Sequence, residues 1–149
     1  MEITTPVSIL LSQRSGRVWS IGPDATVFEA ISLMAEKNIG ALPVVDDGRL
    51  LGVISERDYT RKVILLGRVS RETRVGDIMT VEPVTVSPAD SVQECMRLMT
   101  DNHVRHLPVL EGGKMVGLLS IGDVVNWTIA SQKSAIEDLT NFVTGSYPG

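Results

Sequence analysis

The chain repeats itself. Displacing the sequence so that Pro23 falls on Pro88 (88 − 23 = 65) brings Val27 onto Val92, Glu29 onto Glu94 and Leu33-Met34 onto Leu98-Met99. Leu42-Pro43-Val44 then meets Leu107-Pro108-Val109, and Gly48, Gly52, Ser55, Asp58 and Ile64 meet Gly113, Gly117, Ser120, Asp123 and Ile129. From residue 23 to 64 there are 13 identities in 42 gap-free positions, against about two or three expected by chance, so the chain is a duplicated unit. A unit of about 45 residues sits near the lower limit for an independent core, which predicts two units packed face to face.

Both copies read alike locally. Thr26 with Glu29, and Ser91 with Glu94, match a capping box, in which an N-cap hydroxyl and a carboxylate three residues on satisfy each other's backbone donors. Val27, Ala30, Ile31, Met34 and Val92, Cys95, Met96, Met99 follow at the spacing of a helix's buried stripe. Cys95 therefore reads as a small core hydrophobe, and the methionines likewise. Strands are predicted at Leu42–Asp46 and Leu50–Ile54 around an Asp46-Asp47-Gly48 turn, and at Leu107–Glu111 and Met115–Leu119 around Gly112-Gly113. Asn38–Ala41 reads as irregular. Ser55 and Ser120 open a second helix, each with an aspartate three residues on, and Val18–Ile21 and Val84–Val86 supply a strand before the first helix. The expectation is a mixed α/β fold of two β-α-β-β-α units, each with a small three-stranded sheet.

The organisation expected is a helical extension over residues 1–17, a first unit over 18–66, a linker and lead-in over 67–83, a second unit over 84–130, and a C-terminal helix and tail over 131–149. The extension should hold a helix over residues 5–16, with Thr5 as its cap and Pro6 at the first position. The C-terminal helix should run from Asp123 toward Asn141. A formal net charge of −4 and a pI near 5.1, with charges mixed along the chain, argue against nucleic-acid binding. A single cysteine allows no internal disulfide and points to a reducing compartment. No apolar run approaches the ~18 residues of a membrane span, and the N-terminus lacks signal-peptide character. The expected location is the cytoplasm.

Each unit closes on Gly-x-x-Ser-x-x-Asp. The strings are Gly52-Val53-Ile54-Ser55-Glu56-Arg57-Asp58 after Ile39-Gly40-Ala41-Leu42-Pro43-Val44-Val45, and Gly117-Leu118-Leu119-Ser120-Ile121-Gly122-Asp123 after Val104-Arg105-His106-Leu107-Pro108-Val109. Together with the duplication they resemble a tandem pair of CBS domains, named after cystathionine β-synthase. Val75-Gly76-Asp77-Ile78-Met79-Thr80 resembles the segment leading into a second CBS unit. The likeness covers residues 18 to 130. It implies a stand-alone regulatory CBS pair with pseudo-two-fold symmetry, binding an adenine nucleotide or adenosyl compound (AMP, ADP, ATP, NAD or S-adenosylmethionine) between the units.

By that resemblance Asp58 and Asp123 would hold ribose, and Ser55 and Ser120, with the helix start behind them, phosphate. The sites would cross over, so that Val104, Arg105 and His106 complete the Asp58 site and Ile39, Gly40 and Ala41 the Asp123 site. Thr80 would touch the ligand beside Asp58. The resemblance also implies a disc-shaped homodimer, and a protein target that reads the bound state. The chemistry is consistent: a carboxylate accepts two hydrogen bonds from a vicinal diol, and a helix start favours an anion. Arg57, Arg105 and His106 add positive charge at the Asp58 site where Gly122, Gly40 and Ala41 stand at the other, which favours the more phosphorylated ligand near Asp58.

Two competing readings follow from the same residues. Ser-x-x-Asp ahead of a helix is also an ordinary cap worth ~1 kcal/mol without any ligand. The apolar Ile129, Ile136, Leu139 and Val143, with Trp127, exceed what one small domain needs, as in a ligand-independent dimer or adaptor. Catalysis is not expected. His103 and His106 lack further Cys or His partners for a zinc site, Ser55 and Ser120 lack an obvious activating histidine, and no Gly-x-x-x-x-Gly-Lys-[Ser/Thr] loop is present.

Overall fold

The structure is a computed structural model that describes residues 4–13 and 18–144, with side-chain surroundings up to residue 141. Its elements are α1 (Val7–Ser12), α2 (Val27–Lys37), β1 (Ala41–Asp46), β2 (Arg49–Ser55) and α3 (Glu56–Tyr59), which runs on as a π-helical turn over Thr60–Ile64. Then come α4 (Val75–Ile78), β3 (Thr80–Val81), α5 (Val92–Asn102), β4 (His106–Glu111), β5 (Lys114–Ser120) and α6 (Ile121–Thr144).

The repeat holds in three dimensions. Thr26 Oγ1 accepts from the Glu29 amide at 3.1 Å while Glu29 Oε2 accepts from the Thr26 amide at 2.9 Å. Ser91 Oγ caps the Glu94 amide at 3.0 Å, but the reciprocal half of the expected box is not formed, the Glu94 carboxylate instead accepting from Arg97. Both helices end on a left-handed residue, Asn38 and His103. The hairpins β1–β2 and β4–β5 are antiparallel, with matching bulges after Val44 and Val109. Their turns place Asp47-Gly48 and Gly112-Gly113 at positive φ, as a type I′ hairpin turn requires. Each unit has its own apolar core: Val27, Met34, Leu42, Val44 and Ile54 in the first, and Val92, Cys95, Met99, Leu107 and Leu119 in the second. The strands β2 and β5 bring the units together.

Several expectations need correction. The strands at Val18–Ile21 and Val84–Val86 shrink to single parallel bridges, Ile21 to Val44 and Val86 to Val109. Ile21 donates to Pro43 O and accepts from the Val45 amide. The next rung would need an N–H from residue 43 or 108, and both are proline. The third strand of the first sheet is instead β3, paired on β2 through Gly52–Val81 and Val53–Thr80. The second sheet has two strands among the described residues.

The N-terminal helix is also shorter than expected. Pro6 is itself the extended N-cap (φ −72°, ψ 150°), and α1 ends at Ser12 with Gln13 as its cap; residues 14–17 of the expected helix lie outside the described residues. β1 and β4 begin one residue early, at Ala41 and His106, so Ala41 belongs to a strand rather than to an irregular segment. The C-terminal helix starts at Ile121 and reaches Thr144.

The lead-in segments are exchanged between units. Val75 and Ile78 of α4, which precede the second unit, are buried in the first unit's core. The amide of Val27 donates to Thr73 O, and that of Val75 to Ala25 O, both at 2.8 Å. At the N-terminus Val7 and Leu10 are buried in the second unit's core, Val92 N donates to Thr5 O and Val7 N to Asp90 O. Thr5-Pro6-Val7 thus plays the part of Thr73-Arg74-Val75, at a displacement of 73 − 5 = 68 rather than 65. Each unit is closed by the segment that introduces the other.

Candidate functional site

Two clefts lie between the units, related by the repeat. The first, about 710 Å³, is lined by Ser55, Arg57 and Asp58 from the start of α3, Thr80 from β3, and Val104, Arg105 and His106 from the approach to β4. The second, about 560 Å³, is lined by Ser120 and Asp123 from β5 and α6, and by Ile39, Gly40 and Ala41 from the approach to β1. The twelve residues expected to contact a ligand border these clefts, Val104–His106 with Ser55 and Asp58, and Ile39–Ala41 with Ser120 and Asp123, while Gly122, expected at the second site, does not line it. The antiparallel hairpin delivers each Ser-x-x-Asp to the end of the strand beside β1 or β4: Ala41, which borders the second cleft, pairs with Ser55, which borders the first, and His106 pairs with Ser120.

The serine–aspartate pairs are reciprocal caps. Asp58 Oδ2 accepts from the Ser55 amide at 2.9 Å and from Ser55 Oγ at 3.0 Å, and the Asp58 amide returns a bond to Ser55 Oγ at 3.2 Å. The other carboxylate oxygen, Oδ1, lies 3.1 Å from Lys62 Nζ. Asp58 is consequently only 14% exposed, not the open, outward-facing carboxylate that an empty cleft would suggest. In the second cleft Asp123 Oδ2 accepts from the Ser120 amide at 2.8 Å, and the Asp123 amide donates to Ser120 Oγ at 3.1 Å. Glu56 N donates to Gly40 O, and Ile121 N to Arg105 O. With these amides spoken for, an anion in the first cleft would be met chiefly by side-chain cations.

Such cations are unequally distributed. The first cleft is bordered by Arg57, Arg61, Lys62 and Arg105 against Glu56, Asp58 and Glu82, with His103 and His106 beside them. Among the described residues around the second cleft, Asp123 is the one with a formal charge; the wall is otherwise rich in apolar groups such as Leu11, Val18, Trp19, Val116 and Leu118. Arg57 reaches across the units, its Nη1 donating to His103 O at 3.1 Å. His106 and Gly40 border both clefts and face each other, a Cβ on Gly40 falling 3.7 Å from the His106 ring. Burial pushes the His106 imidazole below its ordinary range; Asp123 opposes that shift and Arg105 reinforces it.

Sequence reasoning missed Glu56, Arg61, Lys62 and Glu82 in the first cleft, and Leu11, Val18 and Trp19 in the second. Some of this was available: the 65-residue displacement places Val18-Trp19 on Pro83-Val84, and both pairs line their cleft. Leu11 was not, because its segment obeys the other displacement. No group of three or more His, Cys, Asp or Glu among the described residues could hold a metal ion. No helix among them is long and apolar enough to cross a membrane.

Comparison with known proteins gives a consistent picture. The family model described as "CBS domain" matches twice, at residues 14–64 and 75–129. The chain is 45% identical over 129 residues to the CBS domain-containing protein CBSX3, mitochondrial, of Arabidopsis thaliana. That match takes in 83% of this chain but spans 63% of the plant protein's length. A solved structure of a protein with CBS domains from Burkholderia ambifaria MC40-6 superposes with a TM-score of 0.83 at 48% identity, covering 86% of this chain and 96% of that one. The hexameric CBS-CP12 protein from bloom-forming cyanobacteria superposes with a TM-score of 0.74 at 28% identity, over 83% of this chain and 68% of that one.

Proposed function

The chain belongs to the CBS domain family, whose paired members are generally regulatory or signal-transduction modules, and from that premise we propose that it is a cytoplasmic sensor of an adenine nucleotide or adenosyl compound. The ligand, AMP, ADP, ATP, NAD or S-adenosylmethionine, sits between the units. Its ribose takes Asp58 or Asp123, and its base takes the crossed wall at Val104–His106 or Ile39–Ala41. The more phosphorylated ligand belongs in the Asp58 cleft, where the cations are. Binding favours one arrangement of the two units over another, and a protein partner reads the population. The chain does no chemistry on the ligand, and it works as a homodimer.

One observation carries this reading: both Ser-x-x-Asp pairs border a cleft whose far wall comes from the other unit. A ligand there touches both units at once and can therefore report on how they are arranged. A ligand-independent adaptor is the second reading, favoured by α6, whose Ile129, Ile136 and Leu139 are each more than half exposed. Thermal unfolding of the full chain with AMP, ADP, ATP, NAD, S-adenosylmethionine and GTP separates the two. A sensor gains about 2.7 kcal/mol at a ligand concentration 100 times Kd, with an adenine compound and not with GTP, and loses that gain in the double variant Asp58→Ala/Asp123→Ala. An adaptor gains nothing from any of them.

A further inference from the structure

The first cleft carries a lysine that its repeat partner lacks. Lys62 Nζ stands 3.1 Å from Asp58 Oδ1 and donates to Ile78 O at 2.9 Å. Asp58 Oδ2 is already taken by the Ser55 amide and hydroxyl. A carboxylate offers about four lone-pair sites; three are in use, so a ribose diol asking for two finds one. Of these donors the Ser55 amide belongs to the cap that starts the helix, and Lys62 is the charged one, which an anion can draw off. Lys62 is 41% exposed on a flexible stem and lines the cleft beside Arg57 and Arg61, within reach of any anion held there. At the equivalent position of the second unit (62 + 65 = 127) stands Trp127, which carries no ammonium group.

We propose that Lys62 makes the first cleft selective for phosphorylated nucleosides: a phosphate draws the ammonium away from Asp58, and the carboxylate oxygen it held then becomes available to the ribose. An unphosphorylated nucleoside has nothing to offer Lys62 and must compete with it for Asp58. The inference rests on the nucleotide reading above, and it assigns to one residue the choice between nucleotide and nucleoside.

The test is calorimetry of ATP and of adenosine on the full chain in an Asp123→Ala background, which isolates the first cleft, comparing Lys62 with Lys62→Met and Lys62→Gln. The glutamine variant keeps a donor for Ile78 O without the charge, and thermal unfolding verifies that both variants fold. Removing the ammonium should weaken ATP about tenfold, the worth of one charge-assisted hydrogen bond, and tighten adenosine about threefold or more by freeing Asp58 Oδ1. Opposite movement of the two affinities supports the inference, because a merely structural lysine would move both the same way. An unchanged ratio, or a parallel loss, overturns it while leaving the nucleotide reading standing. If neither compound binds the chain with Lys62 in place, the inference is overturned, and the nucleotide reading of this cleft rests on the other adenine compounds of the unfolding screen.

Discussion

Arg57 Nη1 donates to the main-chain carbonyl of His103 at 3.1 Å, joining the start of α3 in the first unit to the left-handed cap of α5 in the second. His103 O would otherwise be met by water, and Arg57 is exposed, so the bond contributes little to stability. Its importance is positional, since it holds a guanidinium on the cleft that Asp58 and Arg105 also line. Arg57→Ala should therefore cost no more than about 1 kcal/mol of stability yet weaken ATP about tenfold. Urea unfolding and calorimetry on the same preparation check both halves. A large stability loss with unchanged affinity would make Arg57 a strut between the units and nothing more.

Gly52 and Gly117 occupy equivalent places in the repeat but face different neighbours. A Cβ on Gly52 would run into the backbone carbonyl of Thr80 and lie 3.0 Å from Met79 Sδ, whereas one on Gly117 would meet the side chain of Leu11 at 2.8 Å. Backbone cannot step aside without unpairing β3 from β2; a leucine tip can rotate. Gly52→Ala should cost about 3 kcal/mol and Gly117→Ala about 1 kcal/mol, measured by urea unfolding. Equal costs would mean that the lead-in segments are held no more firmly on one unit than on the other.

These glycines show where sequence reading succeeds and where it stops. Caps, helical stripes and hairpin turns are local, so Thr26 with Glu29 and Asp47 with Gly48 announce themselves within a few residues. The repeat then extends that legibility to the clefts, because it says which strings are equivalent, and the family resemblance says which of them face each other. What stayed hidden is non-local. The exchange of α1 and α4 obeys a displacement of 68, not 65, and keeps only Thr5 with Thr73 and Val7 with Val75 as identical pairs. The missing first strands depend on a proline in the neighbouring strand rather than on the residues of Val18–Ile21. The Lys62–Asp58 pair is a helical neighbour contact, visible in principle as an i, i+4 charge pair, but nothing in the spacing said that the carboxylate was already engaged by Ser55.

His106 makes stability depend on pH in a defined window. Burial holds its imidazole below the ordinary 6.5, with Asp123 opposing and Arg105 adding to the effect. Below pH 6.5 the unfolded chain accepts a proton at this position that the folded chain resists. Stability from this group is therefore complete above 6.5, falls as the pH drops toward the folded-state value, and stays reduced below it. Urea unfolding between pH 8 and 5 should show that fall, and His106→Ala, which places the residue found at the equivalent position 41, should flatten it. A slope that survives the substitution would assign the effect to other groups.

Cys95 should behave as a core residue toward thiol reagents. It is fully buried in the second unit's core, and burial, aided by the nearby Asp90 and Glu94 carboxylates, pushes its thiol up to about 11. At pH 8 the thiolate is then about a thousandth of the population, and the sulfur is out of reach as well. Ellman's reagent should react slowly with the folded chain and fully in denaturant, at the rate of global opening rather than of local exposure. The repeat places Ala30 at the equivalent position, so Cys95→Ala should fold normally and cost about 1 kcal/mol. Rapid labelling of the native chain would show instead that α5 opens separately from the rest of its unit, and would place the cleft wall at Val104–His106, which that helix leads into, on a mobile element.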